Sequence, residues 1–401
     1  MKLIDRSHYT NAIAQWLDKG LVIVLTGQRR VGKSMCLRLV AERVAHDLSN
    51  NVIFIDKEEH LFDEITTASA LNHYLGRHYH ADKHNYIFID EVQDIVEWEH
   101  SVRSWIKRPH TNILITGSNS KMLSSDLSTK LAARYIEIPI HELSYCEFLL
   151  FHGLEDSDVS LEKYLTWGGL PFLSVLGLDN RQQVTDYIRS VYDAIVLKDI
   201  IQREQIRNIP FLMNLCKFMC DNIGKLLSPN SIMKYMRSQG ETVSAPLILS
   251  YLSYFTNAYL VYRVYRYDIH GKALMENNEK YYFEDIGIRN VLVRGGQSND
   301  IEKRMENVVF MHLLRYGWVV RVGQLRNGEI DFVAEKGERV LYVQVTYLMI
   351  NEDTEKREFG NLLAIPNNYP KIVVSMNPLH TRSNYEGIQH LHLREFLKME
   401  I

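Results

Sequence analysis

Apolar residues in the first third of the chain form short uninterrupted runs that end in polar residues or glycine. The runs lie at residues 21–25, 51–56, 86–91 and 112–119. Runs of this length are typical of strands buried on both faces of a parallel sheet. After the first run, apolar residues recur at helical spacing, at Met35, Leu39, Val40 and Val44. The pattern predicts an α/β core in which buried strands alternate with helices.

The connection between the first predicted strand and helix carries the motif G-x-x-x-x-G-K-S. The residues expected to bind phosphate are Gly27, Gln28, Arg29, Arg30, Val31, Gly32, Lys33, Ser34 and Met35. The two glycines allow a tight loop whose N–H groups surround an anion, and the helix presents its positive end. We expect Lys33 to reach the β- and γ-phosphates and Ser34 to ligate Mg²⁺. A chance glycine loop is the alternative, but the flanking strand and helix favour nucleotide binding.

Two carboxylates end the apolar run at residues 86–91. In a doubly wound sheet the carboxyl ends of the strands open onto the ligand crevice. Asp90 is therefore expected to hold Mg²⁺, directly or through water, and Glu91 to polarise the attacking water as general base. Strands often end in acidic residues, so this prediction depends on the P-loop upstream.

Two further groups of residues are candidates for contact with the γ-phosphate. Asn119 or Ser118, and after them Thr116, end the fourth run and suit a sensor contact; a simple turn is the alternative. Arg134 lies on a predicted helix after this run. It is a candidate arginine finger toward a neighbouring subunit, and a surface salt bridge is the equally economical interpretation.

The middle of the chain changes character at about residue 226. Residues 151–220 have helical periodicity, broken at Gly168-Gly169-Leu170-Pro171. Residues 226–268 predict helix, turn, helix and two strands around a polar loop at 269–278, which is the pattern of a winged helix. Cations available for DNA phosphates are Lys234, Arg237, Arg263, Arg266 and Lys272. The presumed recognition helix at 246–259 has no Lys or Arg, which favours protein packing or contact with the DNA backbone over sequence-specific reading.

Several segments together resemble a known family: GQRRVGKS, YIFIDEVQDIVEWEHSVRSW, ILITGSNS, LAARYIEI and YLTWGGLP. In this order they are similar to the bacterial and archaeal AAA+-type ATPases that carry a C-terminal domain of unknown function. The resemblance implies a P-loop NTPase αβα sandwich at 1–150, a helical lid at 151–222, a winged helix at 223–295 and a restriction-endonuclease-like α/β domain at 296–401. Alanines stand in the segment 124–133, before Arg134, where the family usually has a glycine.

The elements from residue 297 onward resemble the restriction-endonuclease-like core. The resemblance places a vestigial nuclease site at Glu306, Asp331 and Gln344. Thr346 stands where the family has a lysine, and a threonine cannot supply the cation that offsets charge on the phosphate. Glu329 and Glu335 share a strand face with Asp331 and are candidate substitute ligands. We expect a degenerate nuclease fold kept for scaffolding or DNA binding; an active nuclease is the alternative.

Composition and charge narrow the class of protein. The 401 residues are 46% hydrophobic and 24% charged with a net charge of −3, as in an ordinary soluble protein of two to four domains and unlike a globally basic nucleic-acid binder. We predict no secretory signal and no membrane span. Four scattered cysteines, expected to be buried and reduced, indicate the cytoplasm; they are Cys36, Cys146, Cys216 and Cys220.

The expected function is that of an ATPase with ATP and Mg²⁺ as cofactors. Its nucleotide cycle would move the lid and winged helix relative to the nuclease-like domain, with DNA or a protein as partner and a homo-oligomer as a candidate assembly. Adenine specificity rests on the resemblance. The alternatives are a nucleotide-gated protein-interaction switch with slow turnover, an active metal-dependent nuclease, and a small-molecule P-loop kinase. In a kinase, Glu91 and the large C-terminal half would have no evident purpose.

Overall fold

The computed structural model describes residues 4–119, 129–293, 300–349, 352–377 and 384–401. The chain forms two compact units. The first comprises Met1–His141 and Asn257–Tyr259, and the second comprises Glu142–Thr256 and Leu260–Ile401. Residues 124–128 of the predicted segment before Arg134 lie outside the described residues.

The first unit alternates strands and helices, as the apolar pattern predicts. Its helices are α1 Ser7–Ala14, α2 Lys33–Ala45, α3 Ala68–His78 and α4 Trp98–Trp105. Its strands are β1 Val22–Thr26, β2 Asn50–Asp56, β3 His84–Asp90, β4 Thr111–Gly117 and β5 Tyr135–Pro139.

These strands form one parallel sheet in the order β2-β3-β4-β1-β5. Alternate residues of each central strand enter different cores, so that Val22 and Ile87 pack on one face while Ile23 and Phe88 pack on the other. This two-sided burial explains why the runs are apolar throughout. Because every pair is parallel, all carboxyl ends lie at one edge of the sheet. The predicted α/β core is confirmed.

The second unit contains most of the helices and a second sheet. Its helices are α5 Tyr145–His152, α6 Asp158–Trp167, α7 Leu173–Leu176, α8 Arg181–Ala194, α9 Ile209–Asp221, α10 Pro229–Ser238, α11 Ala245–Asn257, α12 Ile286–Leu292, α13 Ile301–Arg315, α14 Glu352–Leu363 and α15 Leu393–Lys398. A π-helical segment, Ile195–Gln202, continues α8. Its strands are β6 Val261–Asp268, β7 Ala273–Phe283, β8 Val319–Leu325, β9 Gly328–Lys336, β10 Arg339–Val345, β11 Lys371–Ser375, β12 Asn384–Tyr385 and β13 Ile388–His392.

The second sheet is mixed and has the order β12-β13-β11-β10-β9-β8-β6-β7. The β6–β7 hairpin, predicted as the wing, joins this sheet because β6 pairs in parallel with β8, from Arg266 opposite Val322 to Asp268 opposite Gln324. The predicted polar loop at 269–278 is wrong in extent, since β7 already begins at Ala273, opposite Asp268. Division of this unit into lid, winged helix and nuclease-like domain stays a prediction.

The Gly168-Gly169 break is a close packing junction. A Cβ on Gly169 would lie 2.5 Å from the carbonyl oxygen of Leu143, and one on Gly168 2.4 Å from Asp285 Oδ2. Asp285 accepts the N–H of Gly169 at 2.7 Å and the N–H of Ile288, in the first turn of α12, at 2.8 Å. The buried carboxylate of Asp285 therefore connects the glycine pair after α6 to the start of α12.

Two of the remaining expectations concern thiols and membranes. All four cysteines are free, and Cys36, Cys216 and Cys220 are buried as predicted. Cys146 is exposed on α5, which corrects the expectation for that residue. Within the described ranges, no helix is both long and apolar enough to cross a bilayer.

Candidate functional site

The P-loop of the first unit connects β1 to α2 through two glycines in unusual conformations. Gly27 has φ 137°, and a Cβ there would lie 2.1 Å from the carbonyl oxygen of Ile140. Gly32, which precedes α2, has φ 103°. Any side chain at Gly27 would be strained and would clash with backbone, so both space and conformation require glycine. The loop can therefore wrap closely around an anion at the positive end of α2.

Lys33 lies inside this loop with 4% of its surface exposed. Its ammonium group donates to the carbonyl oxygens of Gly27 at 2.9 Å and Gln28 at 2.8 Å. The amide of Gln28 is fully buried and donates to the carbonyl oxygen of Tyr259 at 3.1 Å. The oxygen Oε1 of Gln28 is buried without a hydrogen-bond partner among the described residues. The loop thus holds polar groups that suit a bound ligand.

Asp90 ends β3 and meets the P-loop through Ser34. The hydroxyl of Ser34 hydrogen-bonds the Asp90 carboxylate, and so does the hydroxyl of Thr116 at the end of β4. Burial raises the pKa of Asp90 above its ordinary value, while these two hydrogen bonds act in the opposite direction. The two residues predicted to ligate Mg²⁺ are therefore neighbours in space.

Glu91 follows Asp90 in a left-handed backbone conformation with φ 53°. This turn directs the chain away from the strand into a short 3₁₀ segment, Val92–Asp94. The N–H of Glu91 donates to the Thr116 hydroxyl at 2.8 Å, and its carboxylate accepts from Gln93 Nε2. The predicted general base is thus held from both its backbone and its side chain.

Thr116 is the residue of β4 that links Asp90 and Glu91. The sequence ranks it behind Asn119 and Ser118, which lie just beyond β4 and are buried at 2% and 0% exposure. The strand order explains the role of Thr116: β4 lies between β1 and β3, and Ile115 pairs with Ile89. Thr116 and Asp90, the next residues of the two strands, therefore lie side by side at the carboxyl edge of the sheet. This signal becomes available only when the strand order is known.

Arg134 lies at the edge of the parallel sheet opposite to the one that carries Asp90. It is exposed and directly precedes β5, and its carbonyl oxygen accepts the N–H of Val22 at the start of β1. The P-loop and Asp90 lie at the carboxyl ends of their strands. Ala132 and Ala133 adopt positive φ values of 52° and 54°, the conformation that explains a glycine preference here.

Arg6 and Asp56 are buried polar residues near the site that the sequence interpretation gives no role. Arg6 Nη1 donates to the carbonyl oxygens of Val31 in the P-loop and of His141, both at 2.9 Å. Asp56, opposite Asp90 at the end of β2, forms an ion pair with Arg38 of α2 at 2.6 Å. Buried Arg6 fixes the P-loop backbone, and Arg38 neutralises an acidic group at the same sheet edge.

Two of the three predicted vestigial nuclease residues, Glu306 and Asp331, lie together in the second unit, around an additional lysine. Nζ of Lys280, on β7, is 2.7 Å from Glu329 Oε1, 3.6 Å from Asp331 Oδ1 and 3.7 Å from Glu306 Oε2. Lys280 has only 3% of its surface exposed. The sequence shows no lysine at the expected place on β10, and the structure supplies one from another strand.

Gln344, Thr346 and Glu335 do not join this cluster as ligands. Gln344 Oε1 accepts the N–H of Asp331 at 3.3 Å, and its Nε2 donates to Glu358 at 3.1 Å. Thr346 is buried. The Glu335 carboxylate forms an ion pair with Arg321. Of the two candidate substitute ligands, only Glu329 is therefore at the cluster.

Burial is the largest cause of the raised pKa values of the acidic residues in the cluster. It raises the pKa of Glu306 to about 8 and that of Asp331 to about 6. Burial alone would lower the pKa of Lys280, but the carboxylates of Glu306, Asp331 and Glu329 outweigh it and keep the pKa above its ordinary value. Lys280 is therefore a cation at neutral pH.

Known proteins share both the sequence pattern and the fold of this chain. A family model described as an AAA domain matches residues 19–149, and one described as "Domain of unknown function (DUF8612)" matches residues 158–299. An uncharacterized protein of Haemophilus influenzae is 32% identical over 402 residues, which cover 98% of each chain. The chain belongs to the AAA+ P-loop ATPase family.

A second relative and a solved structure are more distantly similar to this AAA+ protein. The protein MJ1544 of Methanocaldococcus jannaschii is 27% identical over 350 residues, covering 84% of this chain and 76% of its own length. The Walker-type ATPase PABY2304 of Pyrococcus abyssi has 14% identity and a TM-score of 0.52 over 72% of this chain and 95% of its own. The latter likeness concerns the fold alone.

Proposed function

We propose that this AAA+ protein binds ATP with Mg²⁺ at the P-loop and hydrolyses it. The observation that carries the proposal is the hydrogen bond between Ser34 and Asp90, which places a hydroxyl and a carboxylate side by side at the mouth of the Lys33 loop. Residues 27–35, from Gly27 to Met35, would hold the phosphates. An anion cradle and a hard oxygen pair at one sheet edge suit a magnesium triphosphate.

The residues present fit both groups. A Cβ at Gly27 would clash with the carbonyl oxygen of Ile140, so only glycine allows the tight loop whose N–H groups would surround the phosphates. Oxygen ligands such as those of Ser34 and Asp90 are the type that Mg²⁺ prefers, and a bound Mg²⁺ would offset negative charge on the phosphate oxygens.

Lys33 and Glu91 have different tasks in this proposal. The ammonium group of Lys33 would exchange the carbonyl oxygens of Gly27 and Gln28 for phosphate oxygens, with a gain in charge complementarity. Glu91 would accept a proton from the attacking water. The turn at Glu91 and its bonds to Thr116 and Gln93 set the direction of its carboxylate.

Matched lysine variants test this proposal. Lys33→Ala should weaken ATP binding about 10- to 100-fold, the loss expected for hydrogen bonds to a charged ligand, and should abolish hydrolysis. Lys19→Ala, at an exposed position, should leave both unchanged. Nucleotide affinity and steady-state phosphate release measure the two effects. Parental ATP affinity in Lys33→Ala would refute the proposed site.

A second candidate function is a nucleotide-gated contact with a protein partner. Helix α11 exposes Leu247 and Leu249 and contains no Lys or Arg. Arg263 pairs with Glu279, and Arg266 with Gln324, so two of the cations proposed for DNA already have partners within the protein. These contacts favour a protein partner over a DNA duplex.

ATP hydrolysis measured with duplex and single-stranded DNA separates these two roles. For a protein-gated switch, neither form of DNA changes the rate. Stimulation that is lost in the double variant Lys234→Ala/Arg237→Ala would assign DNA binding to the predicted winged helix instead. Both residues are exposed on α10.

Arg134 is proposed to act in trans, since it lies at the start of β5 rather than at the strand ends that carry Asp90. Arg134→Ala should then bind ATP normally and hydrolyse it slowly only in an oligomer. Light scattering with and without ATP, together with rates at increasing protein concentration, checks this role. A rate that does not depend on concentration would leave Arg134 as a surface residue.

A further inference from the structure

Lys280 reaches the acidic cluster from a distant part of the sheet. Its strand, β7, is separated from β9 by β6 and β8. The register of β6 against β7 shifts between Val264 and Arg266. Beyond this irregularity β7 packs against α13, where the hydroxyl of Tyr282 donates to Glu306 at 2.9 Å and the N–H of Phe283 to Asn307 at 2.7 Å. These contacts bring Lys280 over Asp331 and Glu329.

The ammonium group lies where the oxygens of three carboxylates converge. It is within 3.7 Å of Glu306, Glu329 and Asp331, and its side chain is 4% exposed. An ammonium has three donors and a single charge, which suits three acceptors at hydrogen-bond and ion-pair distances. A divalent ion would need oxygens at about 2.0–2.6 Å and would sit next to this cation. The ammonium group and a divalent ion would therefore compete for the same oxygens and repel each other.

Two of the carboxyl groups also accept hydrogen bonds from other groups of the protein. Asp331 Oδ2 accepts the N–H of Val345 at 2.8 Å, and Glu306 Oε2 accepts the Tyr282 hydroxyl. The carbonyl oxygen of Gln344, a predicted ligand, accepts the N–H of Asp331. A metal bound at these oxygens would have to displace Lys280 and compete with the hydrogen bonds that Asp331, Glu306 and Gln344 accept.

We propose that Lys280 is the resident cation of this cluster, an internal counter-ion that takes the place of a divalent metal and closes the site to it. The C-terminal cluster is then a metal-independent ionic junction between β7, β9 and α13. This proposal is independent of ATP binding in the first unit.

Mn²⁺ binding without nucleotide tests the proposal, with free Mn²⁺ followed by electron paramagnetic resonance. Lys280→Met should bind Mn²⁺ at least about tenfold more tightly than the wild type, because the three carboxyl groups, which release their protons when a metal binds, set divalent affinity when no cation opposes them. Asp331→Asn added to Lys280→Met should remove the gain. Lys280→Arg, which keeps the charge, and Lys336→Met, on the exposed end of β9, should bind as the wild type does.

Two results would overturn the proposal. One is wild-type Mn²⁺ binding that Asp331→Asn abolishes, since the cluster would then accept a metal with Lys280 in place. The other is a Lys280→Met protein with a native circular dichroism spectrum and no gain in Mn²⁺ affinity. If Lys280→Met does not fold, the comparison of wild type with Asp331→Asn decides alone, and equal binding supports the proposal.

Discussion

Lys33 and Lys280 are both almost completely buried, at 4% and 3% exposure, but their surroundings differ. Lys33 donates to two backbone carbonyl oxygens of its own loop. Lys280 faces three carboxylates. Neutral carbonyls hold an ammonium weakly enough for a phosphate to replace them, whereas buried carboxylates bind it as a permanent partner. The acceptors, more than burial, distinguish a lysine suited to a ligand from one suited to a structural role.

The largest expected effect that tests this comparison is on stability. Lys280→Met should lower the free energy of unfolding by about 3–5 kcal/mol, because it leaves buried carboxylates without their cation. Lys33→Met should cost less, about 1.5–3 kcal/mol, the value of hydrogen bonds that involve one charged group. Urea unfolding of both variants measures the difference. Equal losses would contradict the distinction.

Removal of one hydroxyl group in each unit should have a smaller effect on the free energy of unfolding. Thr116→Val removes the hydrogen bonds to Asp90 and to the N–H of Glu91, so it should cost about 1–3 kcal/mol and slow hydrolysis. Tyr282→Phe removes one hydroxyl from Glu306 and leaves Lys280 in place. It should cost no more than about 1.5 kcal/mol and leave hydrolysis unchanged. Slow hydrolysis in Tyr282→Phe with normal rates in Thr116→Val would reverse the assignment of the two regions.

A further test is a pH dependence of stability in the second unit. Burial raises the pKa of Asp285 from 3.8 to about 7. A carboxyl group with a raised pKa binds its proton more tightly in the folded state, so its stabilising contribution is full below about pH 4 and is lost as pH rises toward about 7. In Asp285→Asn this decrease in stability should be smaller, and in Asp193→Asn, at an exposed position, it should match the wild type. Thermal unfolding from pH 4 to 8 checks the slope; identical slopes in all three proteins would contradict it.

The first unit follows from the sequence because its signals are local. Its runs are apolar throughout since neighbouring residues such as Val22 and Ile23 enter different cores. The motif that ends in Lys33 and Ser34 has fixed spacing, and both residues lie at the loop as predicted. The sequence could not place Thr116 ahead of Asn119 and Ser118, because its contact with Asp90 depends on which strand lies between β1 and β3.

The second unit shows what local patterns leave out. Lys280 is far along the chain from Asp331, and the contacts of β7 with α13 beside them have no simple sequence signal. The strand character of residues 273–278 was missed because its three apolar residues are followed by three polar ones without alternation, although Ala273 to Met275 pair with β6. The glycine pair at 168–169 is visible as a break, but its partner Asp285 is known only from the fold.

The most direct test of the central claim is single-turnover ATP hydrolysis by the wild type, Glu91→Gln and Glu42→Gln. Glu42 is an exposed residue of α2 and serves as the matched control. If Glu91 activates water at the P-loop, the Glu91→Gln rate should fall about 10²- to 10⁴-fold, the range for loss of a general base, with ATP affinity unchanged and Glu42→Gln normal. Hydrolysis by Glu91→Gln at the wild-type rate would contradict the account.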